Sequence, residues 1–112
     1  IVLEKHSRDY VLGRIRAGVL EHGFAELMRE AQCGQRMDAE GEVHQGSLIN
    51  DHGTLHRMDL AGHSGGNSVL VYGHTELTRD LCEARDKRAG KVIHEARDVA
   101  IHGADTDSPA LT

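Results

Sequence analysis

Strand-like and helix-like segments alternate along the 112 residues, and this order predicts an α/β domain with an inserted antiparallel β sheet. Apolar residues recur at helical spacing over residues 19–31 and again over residues 75–89, which predicts two amphipathic helices. A β-rich run precedes each helix, at residues 1–4 and at residues 68–72. Between the helices, residues 42–60 alternate loosely around a turn signal, which predicts the inserted strands.

The boundaries and buried faces of these elements follow from particular residues. The turn signal is Asn50-Asp51-His52-Gly53, and Gly90 stands where a C-cap would end the second helix. The first helix is predicted to bury Leu20, Phe24, Leu27, Met28 and Ala31, and the second to bury Leu77, Leu81 and Ala84. We also predict a buried strand at residues 1–4, loops at 5–18 and 62–67, a break in the helical pattern at 32–41, and short closing strands at 91–94 and 99–102.

Composition and charge limit the possible functions. Hydrophobic residues make up 38% and charged residues 28% of the chain, which is typical of a soluble globular domain. The net charge of −5 argues against a general nucleic-acid binder, because phosphate contacts need a surplus of Lys and Arg. No apolar run reaches the roughly 18 residues of a membrane span. Cys33 and Cys82 lie in no motif, so we predict free thiols in a cytoplasmic protein.

The two ends of the chain have unusual sequences. Ile1 lies inside the apolar run of the first predicted strand, and residues 104–112 are mostly small and polar. We therefore expect both ends to be cuts in a longer polypeptide, and residues 1–112 to be a fragment of one domain.

Glu4 ends the first predicted strand. In a dinucleotide-binding fold, an acid at this place accepts hydrogen bonds from the ribose hydroxyls of the adenosine half. Such an acid normally lies about 20 residues after a G-x-G-x-x-G turn, and this sequence contains no such turn. If Glu4 binds ribose, the glycine-rich turn lies upstream of Ile1. On the pattern alone, a solvated strand end is the commoner explanation.

Residues 13–18 combine two glycines with Arg14 and Arg16, and a predicted helix follows them. Glycine allows a ligand to approach the backbone closely, and each guanidinium provides a fork of donors for a phosphate. The N–H groups at the start of the helix would also favour an anion. An ordinary flexible basic loop has the same composition, and the residues alone favour that explanation.

Nine histidines raise the question of a metal site. His52 and His56 are four positions apart, but Gly53 places a turn between them. The sequence contains no H-E-x-x-H motif and no Cys/His cluster. We predict surface histidines and no metal site.

Five stretches of the sequence resemble the flavin-dependent aromatic hydroxylases of the 4-hydroxybenzoate 3-monooxygenase type. They are DYVLGRIRAGVLEHG at residues 9–23, LMREA at 27–31, EVHQG at 42–46, HSGG at 63–66 and VYGHTELTRDLCEAR at 71–85. Their order and spacing match the family to about residue 85, and more loosely to residue 102. The resemblance implies a partial Rossmann-like FAD-binding domain that lacks its first strand and glycine loop. The start of the substrate-side sheet would lie at about residues 42–70.

The resemblance also implies a reaction and a set of flavin contacts. Such enzymes use FAD, NADPH and O2 to hydroxylate 4-hydroxybenzoate to protocatechuate. By position, Glu4 would bind the adenosine ribose, and His74 would contact FAD where the family usually has Gln. The flavin loop would consist of Arg14, Ile15, Arg16, Ala17, Gly18 and Val19, with Arg16 near the pyrophosphate and Ala17, Gly18 and Val19 beside the isoalloxazine ring.

Further roles follow from the same resemblance. Lys5, His6 and Tyr10 match the region that selects NADPH over NADH, with Lys5 in place of the commoner Arg. His44 matches the surface end of a proton relay from the substrate phenol, although without the family a strand histidine that hydrogen-bonds a neighbour is preferred. A phenolic acid would be the partner, without nucleic acid or membrane, and the full-length enzyme is expected to be cytoplasmic and homodimeric.

Two alternatives stay open at this point. A related flavin hydroxylase would act on another phenolic acid and share most of these stretches. A non-catalytic dinucleotide-binding module would share the α/β pattern. A glycine-rich loop upstream and a Gly-Asp flavin motif downstream would exclude the module, and the substrate-contacting residues would identify the acid.

Overall fold

The computed structural model describes residues 1–14 and 16–112, which form short strands and helices. In chain order the elements are β1 (Val2–Leu3), α1 (Arg8–Leu12), β2 (Val19–Leu20), α2 (His22–Glu30), α3 (Gln35–Glu40), β3 (Glu42–His44), β4 (Gly46–Asp51), β5 (Thr54–Asp59), α4 (Leu60–His63), β6 (Val69–Val71), α5 (His74–Lys87), β7 (Val92–Ile93), β8 (Ile101–His102) and β9 (Ala110–Leu111). This mixture of helices and mainly antiparallel strands confirms the predicted α/β class.

The core lies against a three-stranded antiparallel sheet with the strand order β2–β6–β3. Leu20 of β2 lies opposite Leu70 of β6, and directly opposed residues share one face of a sheet. Both leucines are buried and belong to a cluster with side chains from α2, α3 and α5. Neighbouring residues point to the other face, where Val19 is 60% exposed. The sheet therefore has a covered face and an open face.

The helix predicted over residues 19–31 begins after β2 as α2. Its buried residues are Ala25 and Met28, whereas Phe24 and Leu27 are exposed by 39% and 56%. The predicted stripe was right for Met28, and for Ala31, which is partly buried against the core. It was wrong for Phe24 and Leu27, because it was counted from Leu20, which is buried but lies in β2 and not in the helix. The small side chain of Ala25 lets the helix pack closely on the core.

The break predicted at residues 32–41 contains a short helix, α3. Met37 within it is fully buried, with 0% exposure. A Cβ at Gly41 would lie 2.5 Å from Met37 O, so the chain turns tightly after this helix. One buried residue gives no periodicity that a sequence could show. Packing of Met37 in the core stabilises α3 instead.

Two predicted loops also contain short helices, which corrects those predictions. Residues 5–18 include α1, and the Ser7 hydroxyl accepts a hydrogen bond from the backbone of its first turn. Residues 62–67 begin inside α4, which the Asp59 carboxylate caps in the same way. Because side-chain caps start these helices without an apolar stripe, the hydrophobic pattern did not reveal them.

The helix predicted over residues 75–89 is confirmed as α5. Leu77 is buried and Ala84 is partly buried against the core, whereas Leu81 is 41% exposed. The buried face of α5 also carries a charged residue, Asp80, which is only 8% exposed.

The end of α5 differs from the prediction by two residues, since the helix ends at Lys87 and Arg88 is its C-cap. Ala89 adopts the left-handed conformation after the helix, with φ 52°, and Gly90 follows it. Gly90 N donates a hydrogen bond to Arg85 O at 2.9 Å, which satisfies one of the last carbonyl groups. The glycine therefore completes the cap without occupying its left-handed position.

The first predicted strand is β1, which pairs in parallel with β7. It is not buried as predicted, because Ile1 is 77% exposed and Val2 is 43% exposed. The described residues place a strand on one edge of β1 only. Pairing continues past the strand, since Glu4 N donates to Ile93 O and Ala96 N donates to Glu4 O, both at 3.0 Å.

The inserted strands form the hairpin β4–β5, which confirms the turn signal. His52 and Gly53 have φ values of 47° and 89°, a left-handed pair typical of a tight hairpin turn. Asn50 Oδ1 accepts a hydrogen bond from Gly53 N at 2.9 Å. Except for the partly buried Gly46, the residues of both strands are exposed. A second small hairpin pairs β8 with β9.

The chain is elongated, with principal extents of 60 × 31 × 30 Å and a radius of gyration of 19.2 Å. A compact domain of about this size has a radius of gyration of roughly 13 Å. The exposed hairpins agree with this extended shape, and the buried cluster is confined to the part built around the three-stranded sheet.

Candidate functional site

Glu4 lies at the carboxyl end of β1, where the sequence predicted a ribose-binding acid. Its side chain is partly buried, and Oε1 accepts a hydrogen bond from His6 N at 2.7 Å. The backbone of Glu4 is fixed by its bonds to the β7 region. A carboxylate has about four acceptor positions, so one internal bond leaves capacity for two ribose hydroxyls.

His6, Tyr10 and Arg14 form a stack beside α1. The ring centroids of His6 and Tyr10 are 4.1 Å apart, with an interplanar angle of 30°. Arg14 Cζ lies 5.6 Å from the centroid of the Tyr10 ring, and Arg14 Nη1 donates to Tyr10 Oη at 2.8 Å. Lys5 is exposed immediately before this stack in the chain. The structure thus joins Arg14, assigned to the flavin loop, with the predicted NADPH region.

Gly18 brings the predicted flavin loop against the start of α5. Gly18 O accepts a hydrogen bond from Tyr72 N at 2.7 Å. A Cβ at Gly18 would lie 2.5 Å from Tyr72 O and 3.2 Å from Gly73 Cα, so a larger residue would push the two segments apart. His74, the first residue of α5, follows directly. The loop and His74, which the sequence assigned to one cofactor, are therefore neighbours.

The other described residues of the flavin loop have exposed side chains. They are Arg16, Ala17 and Val19, whereas Ile15 lies outside the described residues. The exposed guanidinium of Arg16, two residues before Gly18, can hold an anion. An exposed valine on the open face of the sheet offers an apolar surface to a ring.

His74 is partly buried and interacts with Thr78, one turn further along α5. Thr78 Oγ1 donates to His74 O at 2.8 Å and lies 3.3 Å from His74 Nδ1. A hydroxyl that donates to the carbonyl can accept from Nδ1–H in the tautomer that carries the hydrogen there. Nε2 of the neutral ring is then an acceptor, and it becomes a donor only when the ring is protonated.

His44 lies on β3, on the same face of the sheet as Val19. The register pairs Val19 with Val71, and His44 with Val69 two residues along β6. Strand spacing and rise place His44 roughly 12 Å from Val19. His44 Nε2 is 3.6 Å from Glu42 Oε2, and its side chain is 47% exposed. The histidine thus has access both to solvent and to the open face.

Sequence reasoning missed a charged network on the covered side of the sheet. Asp80 Oδ2 accepts a hydrogen bond from Tyr72 Oη at 2.7 Å, and Oδ1 accepts from Arg36 Nη1 at 2.8 Å. Burial, and then the bond to Asp80, raises the pKa of Tyr72, which keeps the hydroxyl protonated as a donor. Asp80 lies three residues after Leu77 on the buried face of α5, and an acid at this spacing was the available signal.

The described residues also bear on a metal site, a membrane span and the state of the two cysteines. Within residues 1–14 and 16–112, no three His, Cys, Asp or Glu side chains are grouped as metal ligands would be. None of the helices in this part of the chain is long and apolar enough to cross a membrane. Cys33 is buried and Cys82 partly buried, both as free thiols, in agreement with the prediction.

Comparison with known proteins assigns the chain to a class. It belongs to the FAD binding domain family, whose model matches residues 1–111. This confirms the flavoprotein family that the sequence predicted. The chain is also 39% identical over 102 residues to the p-hydroxybenzoate hydroxylase of Acinetobacter baylyi. That match covers 91% of this chain and 25% of the hydroxylase, so the chain spans about a quarter of the length of that relative.

Proposed function

We propose that this chain is part of a flavin-dependent hydroxylase that converts 4-hydroxybenzoate to protocatechuate with FAD, NADPH and O2. The approach of Gly18 to Tyr72 carries the proposal, because it sets an arginine-containing loop against the start of α5. The similarity to p-hydroxybenzoate hydroxylase supports this substrate. We further propose that the domain is Rossmann-like and that residues 42–70 contribute the start of its substrate-side sheet.

The residues of the site fit FAD chemically. Glu4 offers carboxylate acceptors for the ribose hydroxyls, and Arg16 offers a cation for the pyrophosphate. Val19 provides an apolar surface for the isoalloxazine ring, while His74 offers a ring nitrogen for a hydrogen bond. The first N–H groups of α5 add donors for an anion. When bound, FAD supplies the redox chemistry, and the protein binds and orients the reactants.

The stack of His6, Tyr10 and Arg14 supports NADPH as the reductant. Its rings offer a surface for the adenine, and the adjacent Lys5 offers a cation for the 2′-phosphate. Arg14 is held against the Tyr10 ring by its hydrogen bond, which reduces the freedom of its side chain. Lysine lacks the bidentate fork of arginine, so the selection of NADPH should be moderate.

Coenzyme choice tests this assignment in the full-length protein. We expect a higher kcat/KM with NADPH than with NADH. Lys5→Ala should reduce the ratio of the NADPH value to the NADH value about fivefold, which corresponds to the loss of about 1 kcal/mol at an exposed charge. The rate with NADH should stay unchanged in this variant. Lys91→Ala, another exposed lysine, is the matched control. Equal kcat/KM values for both coenzymes in the wild type would refute the assignment.

We also propose that His44 passes the phenolic proton to solvent. Its exposed ring on the open face supports this role, because an imidazole can both accept and donate a proton through its ring nitrogens. We expect His44→Asn to slow substrate deprotonation and to change its pH dependence. An unaltered pH profile in this variant would leave His44 as a strand histidine paired with Glu42.

Product analysis tests the proposed reaction itself. The full-length protein with FAD, NADPH and O2 should convert 4-hydroxybenzoate to protocatechuate, with one NADPH oxidised for each product molecule formed. Turnover of another phenolic acid in its place would identify the related hydroxylase. FAD binding without oxidation of any phenolic acid would identify a non-catalytic dinucleotide-binding module.

A further inference from the structure

A buried carboxylate connects α5 with the strand that meets the flavin loop. Asp80 is 8% exposed and accepts one hydrogen bond on each oxygen, from Tyr72 and from Arg36. A buried carboxylate is strongly unfavourable without its donors. The two bonds, of 2.7 and 2.8 Å, therefore fix the three side chains relative to one another.

Arg36 extends this network across two helices. Its Nη2 donates to Glu76 Oε2 at 2.6 Å, and its Nε donates to Glu40 Oε1 at 3.2 Å. Glu76 and Asp80 lie one turn apart on α5, so Arg36 links α3 to two successive turns of that helix. The arginine thereby opposes both rotation and sliding of α5 relative to α3.

Tyr72 connects the network to the loop. Its side chain is 4% exposed and bonds to Asp80, while its backbone N donates to Gly18 O at 2.7 Å. Gly73, the next residue, is the N-cap of α5. A displacement of Tyr72 would therefore move Gly18 and the first turn of α5 together.

We propose that Asp80 is a positioning residue: with Arg36 it holds Tyr72, and Tyr72 holds Gly18 and His74 in the arrangement that receives FAD. This inference rests on the proposed function, in which the loop and His74 contact the flavin. Apolar side chains of similar volume often stabilise a core as well as a buried ion pair does. The network instead sets fixed hydrogen-bond distances between α3, α5 and Tyr72, which directly follows β6.

The test uses the full-length protein and two variants of the network. Asp80→Asn removes the charge and retains the shape, and Tyr72→Phe removes only the hydroxyl. FAD affinity and the visible absorption spectrum of the bound flavin are measured for each variant, together with the thermal midpoint of the FAD-free protein. We expect Asp80→Asn to weaken FAD binding by about tenfold or more, because it removes the charged acceptor of both hydrogen bonds. We expect Tyr72→Phe to weaken it by about threefold to tenfold, because only one of the two hydrogen bonds is lost. Both substitutions should shift the visible absorption bands of the bound flavin.

Two control variants separate positioning from stability. Met28→Ala removes a buried side chain of α2 that takes no part in the network, so it should lower the thermal midpoint without shifting the bands of bound FAD. Asp38→Asn removes a carboxylate that Arg29 holds on the surface of α3, and it should leave the affinity and the spectrum unchanged.

The outcomes distinguish this inference from the proposed function. Wild-type affinity and spectrum in both network variants would overturn the positioning role, even if their thermal midpoints fall. An equal spectral shift in Met28→Ala would overturn it as well, because general loosening of the core would then be the cause. If Asp80→Asn does not fold, the FAD affinity and flavin spectrum of Tyr72→Phe alone test the positioning role. If the wild-type protein binds no FAD, the proposed function fails together with the inference.

Discussion

The β2–β6–β3 sheet and the β4–β5 hairpin are both antiparallel, yet different interactions stabilise them. Leu20 and Leu70 of the sheet are each 6% exposed and pack with three helices. Leu48 and Leu55 of the hairpin are each 64% exposed. The sheet depends on burial, whereas the hairpin depends on its backbone pairing and on the left-handed turn. Strands of similar appearance can therefore tolerate very different substitutions.

The same comparison explains where the candidate flavin site lies. The covered face of the three-stranded sheet directs Tyr72 towards Asp80, and the open face carries Val19 and His44. A binding surface is held in place more accurately when the layer behind it is tightly packed. The hairpin has no packed layer of this kind among the described residues. We therefore expect flavin binding to be sensitive to the buried part and insensitive to the hairpin.

The largest expected effect concerns stability. Met37→Ala should lower the free energy of unfolding by about 2–5 kcal/mol, because it leaves a cavity at a fully buried position. Leu48→Ala, the matched change in the hairpin, should alter it by about 0.5 kcal/mol or less. Urea unfolding of the full-length variants measures both values. Equal losses would show that the hairpin is also buried in the folded protein.

A smaller effect is expected in acid and concerns the charged network of α5. Hydrogen bonds from Arg36, and then from Arg79, lower the pKa of Glu76 below its ordinary value of 4.5. The contribution of ionised Glu76 to the stability of the folded protein is therefore present above about pH 4.5 and is lost as the pH falls through the lowered pKa. Unfolding measured against pH should show that Glu76→Gln reduces this acid sensitivity, while Glu30→Gln, an exposed residue of α2, retains it. If the two variants have the same pH profile, Glu76 does not contribute in this way.

Elements with a local signal could be predicted from the sequence. The hairpin turn at residues 50–53 and the helix α5 were predicted correctly, because turn chemistry and helical periodicity are properties of short segments. The helix α3 and the burial of Asp80 were not predicted. Both depend on side chains more than 40 positions apart, as in the bond between Arg36 and Asp80, and a single sequence does not show such pairings.

In the candidate site, too, some features follow from the sequence and others only from the folded structure. The roles of Glu4 and Arg16 came from resemblance to the family, and on their own pattern these residues are an ordinary strand end and loop. The closeness of the loop to α5 depends on the contact of Gly18 with Tyr72, which are far apart in the chain. Only the folded structure shows that His74 lies beside this loop.

Flavin titration of two arginine variants tests the central claim most directly. Arg16 lies in the candidate loop and Arg57 on the exposed strand β5, so the substitutions Arg16→Ala and Arg57→Ala remove the same charge from the two regions. FAD binding to the full-length protein is followed by quenching of flavin fluorescence. We expect Arg16→Ala to weaken binding roughly tenfold to a hundredfold, the effect of losing a charge-assisted contact to phosphate, and Arg57→Ala to bind like the wild type. Unchanged affinity in Arg16→Ala, or an equal loss in both variants, would contradict the account.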